Sequence, residues 1–174
     1  GTTFPVRKAI VSRFNNGFIL EGDYKQLEFR VAGFLSKDKQ VYKDVKNNVD
    51  VHQYTADTMN VSRQDAKAHT FKPLYGGILG TPKEMRYYEA FKNKYWQVNN
   101  WHYTLQKEAV ETKKIKLPSG REYAFPEARW TRYGNVTNST AIKNYPVQGF
   151  ATADLLPLAL VSLYDIMKKK NMKS

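Results

Sequence analysis

Arg63, Lys67, Phe71 and Tyr75 recur at intervals of four. On an α-helix that step lays them along one slowly drifting stripe, two cations followed by two aromatic rings. Residues 63–74 are therefore expected to be helical, with Ser62 as the N-cap. The segment also contains an obstacle, because Lys72-Pro73 lies inside it. Pro73 cannot donate to the His69 carbonyl, a loss of roughly 3 kcal/mol in an ideal helix. A kink is expected near residues 71–73, between the two halves of the stripe. Such a face suits a nucleoside triphosphate: cations neutralise the phosphates while a ring packs on sugar and base. A solvated basic turn running into a core-facing aromatic turn gives the same pattern, so the stripe alone leaves both readings open.

The rest of the chain reads as an α+β, helix-rich fold. Residues 18–22 suggest a short strand introduced by the Asn15-Asn16-Gly17 turn. Leu27, Val31, Phe34 and Leu35 recur at helical spacing through residues 26–35. Asp23 thus sits where a strand hands over to a helix, which suits a catalytic acid or metal ligand; a helix-capping Asp fits equally, and taken alone the cap is favoured. Residues 50–59 begin a further helix, and 83–111 read as one or two exposed helices. Ile115, Leu117, Tyr123 and Phe125 flank a Pro118-Ser119-Gly120 turn, a hairpin pattern. Residues 152–167 are a strongly apolar helix ending in Lys168-Lys169-Lys170, cations that favour the helix dipole. Pro157 raises the same question as Pro73, with a first-turn position as the milder alternative.

Charge narrows the partner. Lys and Arg total 28 against 16 Asp and Glu, a formal +12 over 174 residues. That excess favours a polyanion, usually nucleic acid, although a merely basic surface gives the same count. The chain has no cysteine, which excludes disulfides and thiolate-bound zinc, and three scattered histidines do not make a His-rich metal site. The longest apolar stretch, residues 155–164, is interrupted by Pro157 and Ser162, so no membrane span is expected. Arg7 and Lys8 precede only a short apolar step, unlike a signal peptide.

Five segments together resemble one family. Asp23-Tyr24-Lys25-Gln26-Leu27-Glu28-Phe29-Arg30 resembles motif A of family A DNA polymerases, the family of bacterial DNA polymerase I and many phage replicases. Arg63-x3-Lys67-x3-Phe71-x3-Tyr75-Gly76 has the spacing of that family's motif B. Between them, Asp50-Val51-His52 with Thr55-Ala56 is similar to its Asp-Ile-His-x-x-Thr-Ala segment, and residues 117–121 to its Gly-Arg hairpin. Asn144-Tyr145-Pro146-Val147-Gln148-Gly149, followed by Ala153-Asp154, resembles its Asn-x-Pro-x-Gln-Gly segment. The five arrive in family order.

The resemblance implies a partial palm sheet with helical fingers of a right-hand polymerase. Residues 1–45 would be the N-terminal palm with motif A, 46–113 the fingers with motif B, and 114–174 a hairpin and palm helix. Asp23 and the Tyr24 carbonyl would bind a Mg²⁺ pair whose second aspartate lies outside this chain, the two metals stabilising the attacking 3′-oxygen and the leaving pyrophosphate. Gln26, Leu27 and Glu28 would contact the nucleotide, with Glu28 blocking a ribose 2′-hydroxyl. His52, Arg63 and Lys67 would hold the triphosphate, and Lys67 would donate a proton to pyrophosphate. Phe71 would lie against the sugar, Tyr75 beside the templating base and Glu28. Tyr75, Gly76, Asn144 and Gln148 would meet primer–template DNA.

Departures from the pattern matter. Lys25 replaces a usual Ser, and Thr140 stands where an Arg contacting primer–template is usual, so that role is not carried over. Lys25 and Lys72-Pro73 are phage-like, a lean towards a viral source. Motif C is expected just past Ser174; Asp165, in a helical context, is a poor substitute for its aspartate. The chain thus reads as a palm–fingers fragment, inactive alone, whose partners are primer–template DNA, deoxynucleotides and the rest of the polymerase (thumb, motif C and a possible exonuclease domain), in the cytoplasm of a bacterial or virus-infected cell, with no membrane. Three rivals stand beside it. A single-subunit RNA polymerase shares parts of the architecture, but Glu28 argues against it. A split polymerase would carry motif C on a second chain. A non-catalytic basic module would bind nucleic acid through phosphates alone, yet has no reason to keep Asp23, Glu28 and the stripe in register.

Overall fold

The computed structural model describes residues 6–77 and 79–172, with side chains described from residue 8 onward. Six helices run before the first strand: α1 (Leu27–Ser36), α2 (Lys39–Lys46), α3 (Val51–Met59), α4 (Arg63–Thr70), α5 (Pro82–Lys94) and α6 (Trp96–Thr112). The hairpin β1 (Lys114–Lys116) and β2 (Glu122–Ala124) follows, antiparallel, with Ile115 opposite Tyr123. Then come α7 (Ser139–Gln148), a wide π turn (Gly149–Leu155) and α8 (Leu156–Lys169). The helix-rich α+β class holds, with the described sheet limited to that hairpin.

Local chemistry accounts for most helix starts. Asp38, Asp50 and Ser62 each cap a helix by accepting backbone N–H bonds, and Thr81 with Glu84 closes a reciprocal capping box on α5. Apolar and aromatic faces then pack inward. Phe29, Val41, Val51, Leu74, Tyr87, Phe91, Tyr95 and Val147 form one buried cluster spanning α1 to α7, while Leu105, Ile115, Phe125 and Ile142 form a second beneath the hairpin. Helices α5 and α6 are thus core elements rather than exposed ones: Tyr87, Tyr88 and Phe91 are buried on α5, Val98, Leu105 and Ala109 on α6. The aromatic residues Tyr87, Tyr88 and Phe91 of α5 are core, whereas Trp96 and Tyr103 of α6 are exposed.

Three other expectations need correction. Residues 18–22 are irregular and not a strand; no described strand lies beside them, and Phe18 and Leu20 point to solvent. An unpaired segment has no ladder to hold it extended. Asp23 does not cap α1 either, since Gln26 holds that position in a left-handed conformation (φ 54°) without a side-chain bond. Finally, Pro157 does not break the terminal run. It falls in the first turn of α8, directly after the wide π turn, which is the milder of the two alternatives. The continuous helical stretch Ser139–Lys169, 31 residues, is long and apolar enough by length and composition to cross a membrane. A soluble protein's core helix meets the same criterion.

The expected kink is present. Helix α4 stops at Thr70, Phe71 takes φ −104° and ψ 2°, and Lys72–Tyr75 continue as a 3-10 turn. Leu74 N–H donates to the Phe71 carbonyl (3.0 Å) and Gly76 N–H to Pro73 (3.1 Å), the tighter bonding that Pro73 permits.

Candidate functional site

The break divides the stripe into two halves with different partners. Arg63 opens α4 and pairs with the Asp50 carboxylate at 2.8 Å. Burial would raise the Asp50 pKa, but the Arg63 hydrogen bond and the backbone N–H groups of Gln53 and His52 hold it below the ordinary range. Lys67 is exposed one turn further along. His52, on α3, places Nδ1 2.9 Å from the Thr70 hydroxyl and its ring edge-on to Phe71, centroids 5.2 Å apart. Burial is the main cause that lowers the His52 pKa; Arg63 and Lys67 add to it and Asp50 opposes them. The imidazole is therefore neutral near pH 7 and offers a hydrogen bond rather than a charge. Phe71 stacks on buried Phe29 at 6.1 Å, which fixes its ring between the two halves of the stripe.

The second half reaches a different partner. Tyr75 turns its hydroxyl toward Glu28 and Gln148; the oxygen is buried and makes no hydrogen bond of good geometry. Burial, then Glu28, pushes the phenol pKa far up, so it stays protonated. Gln148 Nε2 donates to Glu28 Oε1 at 3.3 Å. Three segments distant in sequence thus meet: Glu28 on α1, Tyr75 after the kink and Gln148 at the end of α7.

Gln26 and Leu27 are half-buried at the start of α1. Asp23 and Tyr24 stand apart from the stripe. They line an open cleft of ≈ 460 Å³ against Leu156, Ala159, Leu160 and Leu163 of α8. Both are exposed. No cluster of three or more His, Cys, Asp or Glu suited to a metal exists among the described residues. Asp23 is the single carboxylate lining that cleft, a partial donor set for a hard cation, which takes six or more oxygen ligands.

Two glycines allow the elements to close. A Cβ at Gly149 would run into the Tyr123 hydroxyl, so a larger residue there requires the Tyr123 ring to shift. Gly76 has φ 80° and ends the 3-10 turn; a Cβ there would lie 2.8 Å from Lys143 Nζ. Asn144, the next residue, is half-buried with an unpartnered Oδ1.

Sequence reasoning missed one cross-element contact and two buried acids. Arg121 grips Asp154 at 2.9 Å while Ser119 donates to its other oxygen at 2.7 Å, tying the hairpin tip to the π turn. Both segments carried the resemblance, but nothing in the spacing paired them. Asp38 and Asp44 are buried acids; an Asp ahead of the helical residues 39–46 was an available capping signal.

The model of DNA polymerase family A matches residues 2–174. DNA polymerase I of Caldicellulosiruptor bescii is 30% identical over 97% of this chain, and that of Bacillus subtilis 31% identical over 97%. The chain spans about a fifth of these relatives, 22% and 21% of their lengths. A solved structure, the POL domain of Pol1 from M. smegmatis in complex with DNA primer-template and dNTP, superimposes with a TM-score of 0.68 over 87% of this chain and 30% of that one, at 20% identity. That likeness fixes the fold: with a match across nearly its full length, the chain belongs to DNA polymerase family A.

Proposed function

We propose that this chain is the palm–fingers portion of a polymerase that adds deoxynucleotides to a primer 3′ end under the direction of a DNA template. One observation carries the reading: Glu28, Tyr75 and Gln148, from three separate motifs, converge at the aromatic end of the stripe. Residues 1–45 serve as palm, 46–113 as fingers and 114–174 as hairpin and palm helix.

In this reading Arg63, Lys67 and His52 receive the triphosphate, the first two by charge and the neutral imidazole by hydrogen bonding. Lys67 hands a proton to the departing pyrophosphate. Phe71 holds the sugar, while Glu28 occupies the space of a 2′-hydroxyl. Gln26 and Leu27 support the nucleotide from the start of α1. Tyr75 and Gly76 meet the templating base, and Asn144 and Gln148 follow the primer–template near its growing end. Asp23 and the Tyr24 carbonyl would hold Mg²⁺ together with a second aspartate from outside this chain. Bound there, the metal ions would stabilise the attacking 3′-oxygen and the leaving pyrophosphate. Preorganised charge and positioning account for the rest.

The setting is the cytoplasm, and Lys25 with Lys72-Pro73 supports a viral source. The 174-residue chain by itself extends primers negligibly, because no residue of α8 is buried and the Asp23 cleft is open along it. Robust Mg²⁺-dependent extension by that chain would overturn this point. The main test is Asp23→Ala in the complete protein. Primer extension should fall by several orders of magnitude with DNA affinity retained; unchanged extension would sink the assignment.

A further inference from the structure

Lys143 is a cation without a counter-ion. It lies half-buried on α7, its ammonium against the backbone of Gly76, and no acidic side chain pairs with it among the described residues. Lys92 on α5 stands close enough to repel it, and the nearest acid to Lys92 is mostly exposed Glu89 at 4.0 Å. Burial first, and Lys92 second, pull the Lys143 pKa below its ordinary value. A third group faces the same ground. His102 is only 6% exposed, its Nε2 has no partner, and it lines a small cavity with Lys92 and Asn99. Burial, then Lys143 and Lys92, hold it down to about 3, so it is neutral at pH 7.

Two partly desolvated cations beside a neutral imidazole, with no carboxylate between them, destabilise the free protein. An anion would offset that cost. The position selects which anion. Gly76 and Arg63 lie roughly 20 Å apart along the kinked element, too far for one triphosphate to bridge. Beside Lys143 are Gly76 and Asn144, which the functional reading gives to DNA.

We propose that Lys143, assisted by Lys92, is a seat for a backbone phosphate of the DNA strand passing the Tyr75–Gly76 turn. The seat deepens the polymerase reading and rests on it. It contributes affinity and register without reading sequence.

The test uses the complete protein, a primer–template duplex and binding measured across a salt series. Lys143→Gln should weaken binding several-fold at low salt and make the slope of log K against log salt shallower by about 0.9, the signature of one lost phosphate contact. Lys143→Arg should restore both. The melting temperature of free Lys143→Gln should stay level or rise, because the lysine has no acid to lose; a structural lysine would lower it. Unaltered affinity and slope would overturn the seat, as would a raised KM for deoxynucleotide with unaltered DNA binding, which would assign the lysine to the triphosphate. Failure of the wild-type protein to bind primer–template at all would instead refute the polymerase reading.

Discussion

Gln148 donates its side-chain amide to the Glu28 carboxylate at 3.3 Å, across 120 residues of chain. The contact is long for a hydrogen bond, so it orients Glu28 more than it stabilises the fold. Tyr75 closes the third side, its hydroxyl buried and without a good bond. Glu28 is therefore flanked by residues from two other elements, the setting that the proposed steric role would need.

Glu28→Ala in the complete protein tests that task. Opening the space beside the sugar should reduce the preference for deoxynucleotides over ribonucleotides at least tenfold, about 1.4 kcal/mol of lost discrimination. The measurement is the ratio of kcat/KM for the two nucleotides. An unaltered ratio would remove Glu28 from sugar selection.

A second prediction concerns stability. Asp38 is 2% exposed and caps two helices at once: Oδ1 accepts from Gln40 and Val41 N–H, Oδ2 from Gln97 and Val98 N–H. Asp38→Ala leaves three buried or half-buried donors, the N–H groups of Gln40, Val41 and Gln97, orphaned, while Val98 N–H keeps its bond to the Tyr95 carbonyl (3.0 Å); two lost caps should cost about 2–4 kcal/mol. Urea unfolding reads this directly, and Asp38→Asn should recover part of the loss. A change below about 1 kcal/mol would mean that water replaces the carboxylate.

The stripe and its break were legible in the sequence because both are local. Four-residue spacing selects a helix, and a proline excludes a backbone bond whatever the surroundings. Ser62 could be read as a cap for the same reason. What could not be read depends on distant partners. Residues 18–22 have strand composition, yet a strand exists only with a neighbour, and none is described beside them. The aromatic residues of α5 and α6 look alike whether buried or exposed; Tyr95 is core because Asp44, 51 positions earlier, accepts its hydroxyl at 2.8 Å. Lys143 likewise carries no local signal, because its setting comes from Gly76, 67 positions earlier.

Pro73 offers a third prediction. Its ring sets the break that turns Tyr75 toward Glu28. Pro73→Ala would let α4 run on, rotating Tyr75 away because 3.6-fold and 3-fold winding diverge by about 20° per residue. The variant should keep its fold, since α4 gains a bond, yet lose roughly tenfold or more in kcat/KM for templated insertion. Unaltered insertion would show that packing of Leu74, fully buried, sets the turn without the proline.

Acid stability follows from His102. Its value of about 3 in the folded chain lies below the ordinary 6.5, chiefly through burial. Between those limits the unfolded chain binds a proton that the folded one refuses, so stability is full above pH 6.5 and falls as pH drops towards 3. At pH 4.5 the loss amounts to about 3 kcal/mol from this group. His102→Gln cannot titrate, so its urea midpoint should fall less than the wild type's between pH 7 and 4.5. The half-buried cations sharpen the effect, because protonating His102 would place a third positive charge beside Lys92 and Lys143. Parallel midpoint curves for the two proteins would show instead that carboxylates elsewhere govern acid unfolding, and that the imidazole reaches solvent once the chain breathes.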